Sequence, residues 1–323
     1  MTISVSSSDE LIRLDTFLSS RLIQFSRSKI QKLIVNGNIT VNKKTVKKNL
    51  KLSYGDIIEV DTAQIETNEL LPKLKKWDYP LEVIHEDNDF AIINKPFGVI
   101  SHPTSKNKDK TLVNILLNKF EDKISNHPDL LRPGIVHRLD KDTTGVMIIP
   151  FNEYSHWKIA DQFKDRTIQK EYLALTWGEW DEDEGLIENK LSRNKKNPLK
   201  FQSSMEGKIA TSLFKLIKRG KYFSSINFFP KTGRTHQIRI HCSEKGYPIV
   251  GDELYGGGWK KLNEYLPEVQ KKINNKISIQ NGHFLHAKSI SFLHPKTNEK
   301  VTFNAEPSEV FSKLLNMIEN EEI

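Results

Sequence analysis

The stretch PGIVHRLDKDTTGVMIIP, residues 133–150, decides how the rest of this 323-residue chain is read. A polar loop separates two apolar pieces, Ile135 with Val136 and the run 146–149, and short apolar pieces bounded by turn residues read as strands. The loop would present Asp140 at a strand edge. Taken alone, Asp142, Thr143, Thr144 and Gly145 read as a β-turn whose side chains satisfy their own backbone. The surroundings must decide whether the loop is more than that.

Downstream and upstream of it, short apolar or alternating segments at 81–84, 90–93, 172–175, 210–217, 223–228 and 235–240 predict further strands. Helical spacing is clearest over 111–120, 154–163 and 308–318. Many strands with few helices, and no regular strand–helix alternation, predict a mixed α+β domain on a largely antiparallel sheet over residues 81–323. Residues 256–282 combine three glycines with Lys and Asn clusters and read as a surface insertion with some helix. Gly256–Gly258 lacks the Lys-Ser or Lys-Thr of a phosphate-binding loop and reads as a flexible turn.

The N-terminal part differs. Leu14, Phe17, Leu18 and Leu22, then Ile30, Leu33 and Ile34, predict two amphipathic helices, and Ile39, Val41 and the segment 57–60 predict short strands. This small α/β unit spans 11–72, and 73–80 is the expected linker, in a stretch where the pattern weakens. Between residues 11 and 62 ten Lys or Arg face four Asp or Glu, so most of the formal charge of +8 lies in a short segment. A basic handle for a polyanion is the expectation.

Hydrophobic residues at 37% and charged residues at 28% suit a chain that folds in water. The longest apolar runs, at 146–151 and 90–93, are far short of a membrane span, and residues 1–10 have no apolar core of a signal peptide. The lone Cys242 excludes an internal disulfide and a cysteine metal site, so a reducing cytoplasm is expected.

Longer matches give the loop its meaning. The runs RLDTFLSSRL, SRSKIQKLIVNGNITVN and LSYGDIIEV resemble the S4 RNA-binding domain, which implies that Arg27, Lys29 and Lys32 lie against RNA phosphates. HRLDKDTTG resembles the signature of the RluA/RluD family of pseudouridine synthases, usually HRLDxxTSG. Thr144 in place of Ser keeps the hydroxyl. INKPFGVISHP, QKEYLAL, TGRTHQIRIH, YPIVGDELYGG and FLHAKSISFLHP agree in the family's order, so the resemblance covers residues 81–305. It implies an isomerase that breaks the N1–C1′ bond of uridine, turns the base and rejoins it at C5, with no cofactor. A carboxylate suits this, either by trapping an oxocarbenium-like sugar or by removing a sugar proton. The same resemblance makes Asp140 that carboxylate and Asp142 a turn residue.

Tyr172 corresponds to the family's active-site tyrosine, stacking on a flipped uracil. By itself it reads first as a strand tyrosine packed in the core. Strand alternation places Arg234, His236 and Ile238 on one face and Thr235, Gln237 and Arg239 on the other. The family's active-site arginine is carried over to Arg239, with Arg234 second, and Arg138 would point outward and fill the space a flipped base vacates. His137, His236 and His241 lack the helix spacing or Cys partners of a metal site, so no metal is expected. The expected partner is structured RNA, most of all large-subunit ribosomal RNA, with transfer RNA the alternative. A monomer without an obligate protein partner is expected. The competing classes are an inactive S4-type RNA-binding protein and a hydrolase of small nucleosides, which would release free uracil.

Overall fold

The computed structural model describes residues 1–22, 27–61, 74–104, 107–125, 132–276 and 282–322. The N-terminal unit comprises β1 (Thr2–Ser4), α1 (Leu14–Arg21), α2 (Arg27–Val35), β2 (Ile39–Val41), β3 (Lys44–Thr45) and β4 (Ile57–Val60). Its sheet runs β1-β4-β2-β3. The helical apolar stripes named from sequence, Leu14, Phe17, Leu18 and Leu22 with Ile30, Leu33 and Ile34, all lie in its core beneath Ile39, Val41, Ile58 and Val60. Residues upstream of Leu11 belong to this sheet, since Ile3 pairs with Ile58 across an antiparallel register. Most of the stretch marked as a linker is also part of a fold. The Trp77 N–H bonds to the Asn114 carbonyl at 3.0 Å and the Asn114 side-chain amide to the Lys75 carbonyl at 2.7 Å. Leu74, Trp77 and Tyr79 pack on the core beside them.

The large unit contains β5 (Glu82–Glu86), β6 (Phe90–Lys95), α3 (Leu112–Phe120), β7 (Thr144–Pro150), α4 (Glu153–Lys164), β8 (Gln169–Trp177), β9 (Glu184–Arg193), β10 (Phe201–Ser203), β11 (Lys208–Lys218), β12 (Phe223–Pro230), α5 (Gln237–Glu244), α6 (Pro267–Lys276), β13 (Leu285–Leu293), β14 (Lys300–Asn304) and α7 (Glu309–Glu319). Its ten strands form one sheet in the order β10-β9-β11-β12-β8-β13-β7-β6-β5, with β14 on β13. Among the described residues every pairing is antiparallel except β13 with β7. The fold is the mixed, largely antiparallel α+β domain read from sequence.

Four further sequence expectations fail. The segment 235–240 is not a strand: α5 starts at Gln237 after His236, whose φ of 59° breaks any extended run. Ile238 and Cys242, four residues apart, enter one core while Ile240 enters another, and this mimics a period of two. Ile135 and Val136 lie in irregular backbone rather than a strand. The region 256–282 was expected to be a surface insertion; residues 277–281 lie outside the described residues, and its described part is not an appendage, because Leu262 and Ile273 are buried in the main core and Trp177 stacks on Tyr265 at 5.5 Å. Nor is its glycine run a flexible turn: the Trp177 indole N–H donates to the Gly257 carbonyl at 2.7 Å. Strand β9 escaped notice because nearly all of it is partly or fully exposed, so its sequence carries no apolar face.

Gly145 fixes the junction of β7 with β13. Its φ is 114°, and a Cβ there would meet the Ala287 carbonyl oxygen at 2.2 Å. Gly145→Ala should therefore cost about 2–4 kcal/mol of stability in chemical denaturation, against well under 1 kcal/mol for an exposed glycine in open space. A midpoint equal to that of the parent would refute the tight junction.

Candidate active site

The loop before β7 is pinned at five successive places. The Ile148 N–H donates to His137 Nε2 at 2.9 Å, and the Ser101 hydroxyl donates to the Leu139 carbonyl at 2.8 Å. Lys95, fully buried, donates its Nζ to the Lys141 carbonyl at 3.0 Å and to Pro96 at 2.8 Å. Burial pushes this ammonium down to about 7, against the pull of Asp142 and Asp140. The Thr143 hydroxyl pairs with His283 at 2.7 Å and the Thr144 hydroxyl with His286 Nδ1 at 2.8 Å. Because His286 Nε2 faces the Ala305 carbonyl at 2.9 Å it must donate there, so a neutral ring accepts the Thr144 proton. The β-turn reading of this loop omitted such partners, and a hydroxyl at 144 is what the geometry uses.

These restraints place Asp140 at the floor of a small open cleft of about 120 Å³. Tyr172, Arg138, Arg234, His236 and Arg239 also line it, and Asp140 is the one carboxylate among its described lining residues. Arg239 approaches from α5, not from a strand. Its Nη1 donates to Asp140 Oδ2 at 3.1 Å, while Nε and Nη2 hold Asp252 at 2.7 and 2.8 Å. His236 Nε2 lies 3.7 Å from Asp140 Oδ2, and its Nδ1 pairs with the Tyr255 hydroxyl at 2.9 Å.

Burial acts to raise the Asp140 carboxyl, but His236, Arg239 and His283 outweigh it and hold the group below its ordinary 3.8. His236 is itself pushed down, first by burial, so the lasting positive charge is that of Arg239. Burial and then the Asp140 charge raise the Tyr172 hydroxyl, which stays protonated. The site thus offers an ionised, largely desolvated carboxylate, a neutral phenol and a fixed guanidinium. That set can act on an electron-poor sugar carbon without a second carboxylate to activate water.

The remaining sequence candidates fall elsewhere. Arg138 is exposed at the rim. Arg234 is half-buried and its Nε donates to the Ile209 carbonyl at 3.0 Å. His137, His236 and His241 do not converge: His137 stacks on Phe163 at 4.6 Å and His241 pairs with Asn189 at 3.0 Å. Lys32 is exposed on α2, whereas the side chains of Arg27 and Lys29 lie outside the described residues. Sequence reasoning missed Asp252, Lys95, Ser101 and His286, although all four are polar residues inside the motifs quoted above.

The family profile described as RNA pseudouridylate synthase matches residues 89–244, and that of the S4 domain matches residues 12–58. An uncharacterised RNA pseudouridine synthase of Bacillus subtilis is 32% identical over 97% of this chain and 96% of its own length. A protein of Borreliella burgdorferi named ribosomal large subunit pseudouridine synthase D is 36% identical over 82% of this chain and 83% of its own. The solved human RNA pseudouridylate synthase domain containing 4 shares the fold, with a TM-score of 0.57 at 22% identity, covering 74% of this chain and 93% of that one. The chain belongs to the RNA pseudouridine synthases, which are isomerases. Within them it is of the RluA/RluD kind with an N-terminal S4 domain.

Since Asp140 ionises below 3.8, its single-turnover rate should stay level from about pH 5 to about 7, with an acid limb only below that. Asp252→Asn keeps the shape but loosens Arg239. It should slow the reaction by ~10²-fold and move the acid limb upward. An unchanged limb would mean that Asp252 does not act through Asp140.

Proposed function

We propose that this synthase isomerises specific uridines of structured large-subunit ribosomal RNA, with Asp140 acting on the sugar of a uridine flipped into the cleft. The observation that carries this reading is Asp140 itself, an ionised carboxylate with no second acid among the described lining residues. The N1–C1′ bond breaks, the uracil turns, the C5–C1′ bond forms, N1 gains a proton and C5 loses one to water. Asp140 either bonds to C1′ or takes a sugar proton, and Arg239 balances its charge in both routes. Tyr172 stacks on the base, and its hydroxyl assists proton removal at C5, passing the proton on to water. Arg138, at the rim, fills the gap left in the RNA. Arg27, Lys29 and Lys32 of the S4 domain supply phosphate contacts away from the cleft. Support for ribosomal RNA comes from the named Borreliella burgdorferi relative.

Asp140→Asn should reduce tritium release from a hairpin labelled at uridine C5 by ~10⁴-fold while leaving RNA affinity within about threefold. Residual activity of a few per cent would overturn the assignment. Pseudouridine mapping in a strain lacking the protein should lose signals from large-subunit ribosomal RNA. Losses confined to transfer RNA would transfer the substrate assignment there.

A further inference from the structure

Beside the Asp140 cleft lies a second, larger depression that shares Arg138, Lys170, Tyr172, Thr232, Gly233 and Arg234 with it. Its outer walls come from the end of α4 with the turn after it, and from Lys231 in the loop after β12. Six cations line it, Arg138, Lys164, Arg166, Lys170, Lys231 and Arg234, and among the described residues no carboxylate does. Arg138, Lys164, Arg166 and Lys231 are exposed, and none of them forms an ion pair among the described residues. Some cations elsewhere on the surface are matched, as in Lys123 with Glu86, Lys245 with Glu182 and Lys288 with Glu171.

Arg166 adds a second, independent observation. Helix α4 closes with the Arg166 N–H on the Phe163 carbonyl at 3.3 Å and the Thr167 N–H on Gln162 at 3.1 Å. These are the two bonds of a Schellman close, whose left-handed position ordinarily belongs to glycine. Arg166 occupies it with a φ of 60°. The close fixes where the Arg166 side chain leaves the backbone, on the outer wall of the trough. Next to it, burial and the Arg166 charge bring Lys170 down to about 8, so two like charges are held together with nothing negative between them.

We propose that this trough carries the RNA backbone flanking the target uridine, with Lys164, Arg166 and Lys231 holding phosphates on either side of the flipped nucleotide. The proposal rests on the reading of the chain as an enzyme acting on uridine in RNA. It puts the strand along the wall formed by α4 and the β12–α5 loop, and requires that RNA leave the cleft on that side. The rival account is that Lys164 and Arg166 merely offset the negative end of the α4 dipole.

The two accounts separate on one variant. Arg166→Gly relieves the left-handed strain, so its thermal midpoint should hold or rise. Its affinity for a substrate hairpin should fall by ~3–10-fold, and its salt slope by roughly one unit. Lys164→Ala with Lys231→Ala should lower the slope by roughly two. In turnover the loss should appear in the RNA concentration giving half-maximal rate. The trough is overturned if wild type isomerises the hairpin while both variants keep its slope and affinity, or if Arg166→Gly loses only stability. If the variants lower the slope as expected but wild type does not isomerise the hairpin, the trough binds RNA and the proposed substrate reading fails instead.

Discussion

The guanidinium of Arg239 is shared between two carboxylates, and most of the site follows from how it is shared. Asp252 takes Nε and Nη2 in a two-pronged bond, leaving Nη1 for Asp140. A planar fork held on one edge cannot rotate away, so its free corner is fixed in direction. The side chain of Asp252 is 1% exposed and that of Asp140 17%, so one carboxylate is an internal anchor and the other faces the cleft. An isolated buried guanidinium would carry a large desolvation cost, and Asp252 offsets it before Asp140 is counted. Asp140 therefore remains charged without giving up the lone pairs that face the substrate.

That anchor depends on a glycine turn and a tryptophan. The Gly257 N–H bonds to the Asp252 carbonyl at 2.8 Å, and a Cβ on Gly257 would meet the Ile249 oxygen at 1.9 Å. The carbonyl of the same glycine accepts the Trp177 indole proton, and Trp177 stands at the end of β8, the strand that carries Tyr172. Tyr172 and the Asp252 anchor are thus tied through one fully buried ring. Trp259 and Tyr265 pack on that ring, so this stretch joins the core through a few side chains while most of its described residues stay exposed.

Much of this was legible because the chemistry concentrates in short contiguous motifs. The HRLDKDTTG loop contains both Asp140 and the threonines that fasten it, and TGRTHQIRIH contains Arg239. What local pattern could not supply was direction. Arg239 was assigned to the cleft by resemblance, but the strand alternation used to place it is overturned. The Gln237 side chain accepts from the Thr232 hydroxyl at 2.6 Å and from the Arg234 N–H at 3.0 Å, and this closed turn starts a helix. With only two isoleucines to mark a face, helix and strand periods cannot be told apart over so short a span. Asp252 was invisible for a different reason: its partner lies 13 residues away on another element, and no periodicity reports that.

A polyanionic substrate poses an electrostatic problem that this arrangement resolves. Chemistry at C1′ brings a nucleotide's own phosphates close to a negatively charged carboxylate, and desolvation of the cleft strengthens the repulsion. Arg239 alone does not cancel it, because Asp252 already claims part of that charge, leaving the trio with a net negative charge. The cations must then come from the rim, within about 10 Å, where salt does not screen them fully. Arg138 and Arg234 stand there, with Lys170 on the adjoining wall. A negative floor under a positive rim favours phosphates at the edge, which is the pose the proposed role of Asp140 requires. The cations of the rim are in this sense required by charge balance at the cleft as well as by affinity.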